Sequence, residues 1–462
     1  MKSILNYTII LLLLTLVACN SGGDTKESDA SQDVFKAPRE MGLLASQFTM
    51  PNPGDHRVEL DNGLVAFVVT GDKASLVTIK AVIGAGYAYD KKGVAQSLKT
   101  ILQSQPVCDM EAKEFSRYLY DNAFEYSVSQ DEEMMTISLN ALAEDYDKAM
   151  ALFARIVIQP CINGQTSRMF KGYAGIPDSE YVKNGSLPKT VELLKQQLYG
   201  NHPFNAQVNA GEASAISTSD LKAFHQKYFS TGNMSVAVSG QISADQVKRD
   251  LATAFSGVST AERQLASFDY VTSSKASIGH TTNKLQTWIV IGSLLPEISP
   301  EEWPALQVMN YIIGGGHFDT RLYKETRDLR GLTNDDSGFP EWKQTGPGFY
   351  TFRTYGRPEV ADQLIDLTMT EINKIRDTKV TEEELFVAKG ALADGVFQMW
   401  FENSHTTSAT FAEHWVRYQS FDHLSKYPER VNAVTIDDVQ AAAQKYLKPE
   451  EMVTLVVASP GQ

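Results

Sequence analysis

The chain is short of positive charge. Its 42 lysines and arginines stand against 56 aspartates and glutamates, for a formal net charge of −14 over 462 residues. No Lys/Arg cluster offsets that balance, so nucleic acid is a poor fit as a partner and a cationic peptide a more natural one. Histidine is scarce, at eight residues, and none of His56, His202, His225, His280, His317, His405, His414 and His423 has another three or four positions away. The paired imidazoles by which one helix face holds zinc are therefore missing. There is no Gly-x-Ser-x-Gly and no Cys–His pairing recognisable by spacing. Gly314-Gly315-Gly316 follows a helical stretch rather than joining strand to helix, which excludes a nucleotide loop there. The one long apolar run, Ile4 to Ala18, is too short to span a bilayer and has the dimensions of a signal-peptide core.

After that run, Leu16-Val17-Ala18-Cys19 resembles a bacterial lipobox. The resemblance implies removal of residues 1–18 and lipidation of Cys19. Asn20, rather than Asp, then points to the outer membrane, with the body facing the periplasm. The other reading is a plain signal peptide with an incidental cysteine. Residues 19–53 are expected to form a flexible tether, of which Asn20 to Lys36 hold only Ala30, Val34 and Phe35 as apolar members. Cys108 and Cys161 remain, and their pairing is left open, because sequence does not give the distance between their Cα atoms.

A body of this length, 43% hydrophobic, calls for more than one domain. Two strands flank the turn Asp61-Asn62-Gly63. The apolar run Leu76 to Ile83 reads as a strand closed by Gly84-Ala85-Gly86. Helical spacing follows in Glu111 to Asn122, Asp145 to Ile158 and Val191 to Tyr199, with strands at Phe124 to Ser129 and Met134 to Leu139. Ser217 to Val238 then aligns without gaps on Thr435 to Val456. Identities fall at Asp220/Asp438, Ala223/Ala441, Gln226/Gln444, Lys227/Lys445, Tyr228/Tyr446, Met234/Met452 and Val238/Val456. Each copy opens on Ser or Thr with Asp three residues later, a capping-box start, and closes on a strand. A duplicated α+β unit follows: residues 54–258 and 276–462, joined by a polar linker at 259–275, each with helices on a mostly antiparallel sheet. In the second unit Ser299-Pro300-Glu301-Glu302 reads as a helix start, with Ser299 as N-cap.

The organising stretch is Gly93 to Gln103, after the strand and glycine break. Val94, Leu98, Ile101 and Leu102 mark a helix, and Gln96, Lys99 and Thr100 share one of its faces. This frame resembles the inverted zinc motif of the insulinase/pitrilysin (M16) peptidases, in which His, Glu and His occupy those three positions. A lysine ammonium cannot act as general base and repels a dication. An amide and a neutral hydroxyl do not replace imidazole. The resemblance extends through His202-Pro203-Phe204, Asp220-Leu221, Tyr228-Phe229 and Asn233-Met234. In the second half it continues through Gly314-Gly315-Gly316, Arg321-Leu322 and Arg327-Asp328-Leu329-Arg330-Gly331-Leu332.

It implies two homologous domains enclosing a peptide-binding cavity, and it implies a lost site. The family takes its third ligand, a Glu, from a later helix. No Glu occurs between Glu144 and Glu180, and the corresponding Met169 to Pro177 carries Gly172, Gly175 and Pro177, a poor helix. Of the family's substrate-holding Arg and Tyr, Arg327 keeps the first position and Asn334 replaces the second. Arg327 is read either as a contributor to a partner's site or as a surface residue paired with nearby acids. No metal or cofactor is expected on this chain, and zinc only in a partner subunit. The leading expectation is the non-catalytic member of a heterodimeric zinc peptidase. The second is a peptide-binding or scaffolding envelope lipoprotein, with Glu125, Tyr126, Ser127, Val128 and Ser129 as an edge for extended peptide. The third is an enzyme of unrecognised type.

Overall fold

The computed structural model describes residues 48–71, 74–172 and 186–459. Two sheets organise the body. The first contains β1 (Arg57–Glu59), β2 (Val65–Thr70), β3 (Leu76–Ile83), β4 (Glu125–Gln130), β5 (Met135–Leu142) and β6 (Met234–Gly240), in the order β1-β2-β6-β3-β5-β4. The second contains β7 (Ala276–Thr281), β8 (Thr287–Leu294), β9 (Asp336–Glu341), β10 (Phe349–Gly356) and β11 (Val453–Ala458), in the order β7-β11-β8-β10-β9. Only β2–β6 and β7–β11 pair in parallel, so both sheets are mostly antiparallel, as expected of this α+β chain.

The principal helices are α1 (Val94–Ser104), α2 (Ala112–Asp121), α3 (Tyr146–Ile158), α4 (Leu187–Tyr199), α5 (Thr218–Tyr228) and α6 (Ala244–Ala254) in the first half. In the second half they are α7 (Trp303–Asn310), α8 (Ala361–Asp377), α9 (Ser404–Tyr418) and α10 (Ile436–Tyr446).

The internal repeat is visible atom by atom. Ser217 and Asp220 exchange hydrogen bonds at the start of α5: Ser217 N donates to Asp220 Oδ2 at 2.9 Å, and Asp220 N to Ser217 Oγ at 3.1 Å. Thr435 and Asp438 do the same at the start of α10, with the same two distances. The strands that follow take equivalent places. β6 lies between a parallel and an antiparallel neighbour, with Val238 opposite Val68 and Ile79. β11 repeats this, with Val456 opposite Gly279 and Ile289.

One helix of each half packs on the sheet of the other. Helix α4 lies on β8 and β11, so its Leu193, Leu194 and Leu198 join a core with Val290, Leu294 and Leu455. Helix α9 lies on β2, β3 and β6, so its Phe411, Ala412 and Val416 join Phe67, Val82 and Ala237, with the Phe67 and Phe411 rings 5.7 Å apart. Burying each large apolar side chain contributes about 2 kcal/mol, and the reciprocal exchange ties the halves into one body.

The helix expected from Ser299 begins instead at Trp303. Ser299 and Glu302 do make reciprocal bonds, Ser299 N to Glu302 Oε2 at 3.1 Å and Glu302 N to Ser299 Oγ at 3.3 Å, but around a turn. Pro304 is the reason. A helix from Pro300 would place Pro304 in its interior, without an N–H and against the carbonyl four residues back. Beginning at Trp303 leaves the proline in the first turn, where its missing donor costs nothing.

Candidate functional site

The strand β3 runs into α1 through two glycine-dependent steps. At Gly86 the backbone of the β4–β5 turn crosses so closely that a Cβ would lie 2.1 Å from Glu132 O. At Gly93, which caps α1, φ is +87°, in the left-handed region that glycine adopts without steric cost. Val94, Ala95, Leu98, Ile101 and Leu102 of α1 are buried. Gln96, Lys99 and Thr100 sit half-buried on a different face.

None of the three is arranged as a ligand. Gln96 Nε2 donates to Ala206 O at 3.2 Å, and its Oε1 is buried without a hydrogen-bond partner among the described residues. Thr100 Oγ1 donates back to Gln96 O at 2.9 Å, within the helix's own backbone. Lys99 forms no hydrogen bond or ion pair with another described residue, and its cation lies on the face a dication would need. A single amide oxygen, a hydroxyl committed to a carbonyl and an ammonium do not fit zinc. Among the described residues no group of three or more His, Cys, Asp and Glu is placed to hold a metal ion.

The stretch expected to lack the third ligand, Met169 to Pro177, is described only to Gly172, and its remainder lies outside the described residues. Two 3-10 turns, Thr166–Arg168 and Phe170–Gly172, pack against α1. A disulfide between Cys108 and Cys161, Cα atoms 4.8 Å apart, settles the pairing that the sequence left open. It joins the loop after α1 to the loop after α3, next to Asn163, whose Oδ1 accepts from Gln165 N and Thr166 N. Cys19 lies outside the described residues.

Arg327 has aromatic rather than acidic partners, contrary to its reading as an acid-paired surface residue. Its guanidinium lies 4.5 Å from the Tyr323 ring centroid and 5.6 Å from that of Phe318, and it makes no ion pair among the described residues. Asn334 is exposed. No hydrogen bond, ion pair or ring contact among the described residues joins either of them to Gln96, Lys99 or Thr100. The stretch Glu125 to Ser129 falls in β4, the outermost strand of its sheet, with Glu125, Ser127 and Ser129 exposed and Val128 buried.

The strongest electrostatics lie at a place the sequence reading passed over as a polar turn. The β4–β5 turn carries Glu132 and Glu133 into the junction of the halves. Glu132, 1% exposed, is paired with Lys343 at 2.5 Å and with Lys195, and receives the Tyr87 hydroxyl at 2.7 Å. Burial alone would raise its carboxyl. Lys343 and Lys195 outweigh burial and bring it down to about 2. Burial opposes the Lys343 charge in turn, but Glu132 and Asp131 lift it to about 12. Glu133 accepts from Thr345 N at 2.7 Å, Thr345 Oγ1 at 2.8 Å and Arg417 Nη1 at 2.9 Å. The turn thus clasps the β9–β10 connection and α9. Adjacent acids between two strands were visible in the sequence, but nothing local pointed to partners some 200 residues away. Beside the clasp, a cavity of about 390 Å³ is lined by Tyr87, Lys195, Phe204, Ala206, Glu341 and Arg353, drawn from both halves.

Comparison with known proteins agrees with this architecture. Residues 215–392 match the family model described as the peptidase M16 inactive domain. An uncharacterized zinc protease of Mycobacterium leprae is 25% identical over 264 residues, 55% of this chain, and the match spans only 58% of that relative's length. An uncharacterized zinc protease of Rickettsia felis is 20% identical over 406 residues, covering 86% of this chain and 90% of the relative. Among solved structures, a peptidase M16 inactive domain from Pseudomonas fluorescens superposes with a TM-score of 0.73 at 20% identity, over 90% of this chain and 98% of its own. The class is therefore a two-domain M16-type fold. Within it, residues 215–392 are similar to the M16 domain described as inactive, and the α1 face that resembles the inverted zinc motif carries Gln96, Lys99 and Thr100.

Proposed function

We propose that this chain is the non-catalytic subunit of a two-chain zinc peptidase: an envelope lipoprotein that helps to hold extended peptides for a zinc-bearing M16 sister. The observation that carries the reading is the state of α1, where Gln96 and Thr100 are tied to backbone carbonyls and Lys99 puts a cation where the family's general base would stand. The fold around that helix is intact, from the Glu132/Glu133 clasp to the cavity between the halves, which fits a retained binding role better than a decaying enzyme. Arg327, resting on two rings with no ion pair among the described residues, is this chain's contribution to a shared site. Placement in the envelope rests on the Leu16-Val17-Ala18-Cys19 motif, with anchoring through Cys19 at the outer membrane, facing the periplasm. The Cys108–Cys161 disulfide suits such an oxidising compartment. The chain itself carries no cofactor, and zinc belongs to the sister.

The test is reconstitution. Purification from membranes under mild detergent should recover a homologue with an intact His-x-x-Glu-His, and the sister's peptidase activity should rise when this chain is added. Arg327→Ala should lower kcat and kcat/KM of the pair together, as expected of an interaction made in the transition state. A sister that is fully active alone, or no sister at all, would favour the second reading, a peptide-binding or scaffolding lipoprotein with no catalytic partner. The observation favouring that reading is the exposed edge of β4.

A further inference from the structure

The edge of β4 is half closed by the protein itself. The turn bond from Asp131 N to Met134 O, at 2.9 Å, makes those two residues a hydrogen-bonded pair. Bonded and non-bonded pairs alternate along an antiparallel ladder. The register sets Ser129 opposite Thr136, Val128 opposite Ile137 and Ser127 opposite Ser138. Ser129, Ser127 and Glu125 therefore turn their backbone groups towards β5. Gln130, Val128 and Tyr126 turn theirs outward, where no further strand of the described residues pairs. Outward groups at every second residue are the pattern that an added extended chain reads.

The central carbonyl of that row is already taken. Gln103, exposed in the last turn of α1, donates from Nε2 to Val128 O at 3.0 Å. A side-chain amide N–H thus sits where the backbone N–H of an incoming strand would sit. The neighbouring contact holds the helix end in register with the strand: Tyr126 donates its hydroxyl to Leu102 O at 3.0 Å.

We propose that Gln103 is a cap on this edge. It imitates one hydrogen bond of an added peptide strand, and it leaves when an extended peptide pairs with Tyr126, Val128 and Gln130. The proposal rests on the peptide-handling role above and names a residue that sets its affinity. Exchange of one amide donor for another changes little in hydrogen-bond number, so the cap weakens peptide binding modestly rather than abolishing it. It also keeps a bare strand edge from pairing with other chains in the absence of peptide.

The experiment uses the full chain with Gln103→Ala and Gln103→Glu, neither of which can donate to Val128 O. The probe is a fluorescein-labelled, proline-free ten-residue peptide of alternating valine and threonine, with a second copy N-methylated at every amide, so that neither edge of it can donate to a strand. Fluorescence anisotropy should show both variants binding the unmethylated peptide about 3–10-fold more tightly than the parent, the loss of one competing hydrogen bond. The methylated copy should bind none of the three. Methylation-sensitive binding that is equal or weaker in the variants would overturn the role of Gln103 and leave peptide binding standing. No methylation-sensitive binding in any of the three would overturn both.

Discussion

Two polar clusters lie close together along the chain and are organised in opposite ways. On α1 the side chains at the positions that resemble the zinc motif donate to backbone carbonyls, Thr100 to Gln96 O and Gln96 to Ala206 O, and the one charge among them, Lys99, has no partner among the described residues. At the β4–β5 turn two buried carboxylates are met on every side by lysines, an arginine, a tyrosine and a threonine from distant elements. The first cluster has the position for chemistry and none of the groups. The second has strongly perturbed groups, and its partners are drawn from both halves. A shifted carboxyl is therefore a poor guide to catalysis in this fold, because the same burial and pairing that would tune an acid here hold two halves together.

The sharpest way to break the comparison is to remove a carboxylate from the clasp. Glu132→Ala leaves Lys343, 7% exposed, and Lys195 without their anion, and should cost about 3–5 kcal/mol in urea unfolding. The parent's own pH dependence carries the same signature. The Glu132 carboxyl is depressed in the folded chain, so its contribution is present above the ordinary carboxylate value of about 4.3 and is lost as pH falls towards 2. An urea midpoint that is flat from pH 5 to pH 2.5 would remove the clasp from the account.

Next in size is the disulfide. Its cysteines are 53 residues apart, and closing such a loop is worth about 4 kcal/mol in the chain-entropy model, with about 2–4 kcal/mol typical of measurement. Cys108→Ser with Cys161→Ser should lower stability by that amount and expose the chain around Thr166 to protease, without affecting the clasp. A variant cleaved no faster than the parent would show that Asn163 and its turn hold this segment unaided.

A smaller effect of opposite sign is expected at Asp336. Its carboxyl is 1% exposed on β9, with Oδ2 receiving Thr368 Oγ1 of α8 at 3.3 Å and Oδ1 without a hydrogen-bond partner among the described residues. Burial raises it to about 8. A carboxyl raised on folding stabilises fully below its unfolded value of about 4, and that benefit is lost as pH rises through 8. Asp336→Asn should therefore leave stability unchanged near pH 4 and raise it progressively over the parent as pH climbs towards 8. Equal effects at both pH values would mean that the carboxyl is ionised in the folded chain.

The smallest effect is expected at the cluster that looks most catalytic. Gln96→His, Lys99→Glu and Thr100→His together supply two ligands and a base on one helix face. A catalytic zinc takes three protein ligands and one open position, and nothing orients the new imidazoles. Weak metal binding without turnover is the expected result. Chelator-sensitive cleavage of an unstructured peptide would reveal a third ligand.

The sequence made this fold legible where identity of residue and role of residue coincide. Ser217/Asp220 and Thr435/Asp438 are caps in both halves, and the strands after them are the equivalent central strands, so the alignment of Ser217 to Val238 on Thr435 to Val456 led directly to the duplication. The exchange of α4 and α9 was not legible. Periodicity says that a helix has an apolar face but not which sheet receives it. Glu132 and Glu133 were read as a solvated turn for the same reason, since Lys343 and Arg417 are neighbours only after the halves close. At α1 the residue types alone carried the argument against zinc. The side-chain bonds to Ala206 and Gln96 carbonyls add that the replacements have found other work. Of the two readings of Arg327, the acid-paired one fails because the nearby acids make no ion pair with it among the described residues, and its guanidinium lies over Tyr323 and Phe318 instead.

The central claim is that the M16 position on α1 is chemically silent in this chain. Elemental analysis of the purified full chain, paired with a peptidase assay before and after treatment with a chelator, tests it most directly. The account predicts far less than one zinc per chain and no chelator-sensitive cleavage. About one zinc per chain, removed together with a peptidase activity, would contradict it.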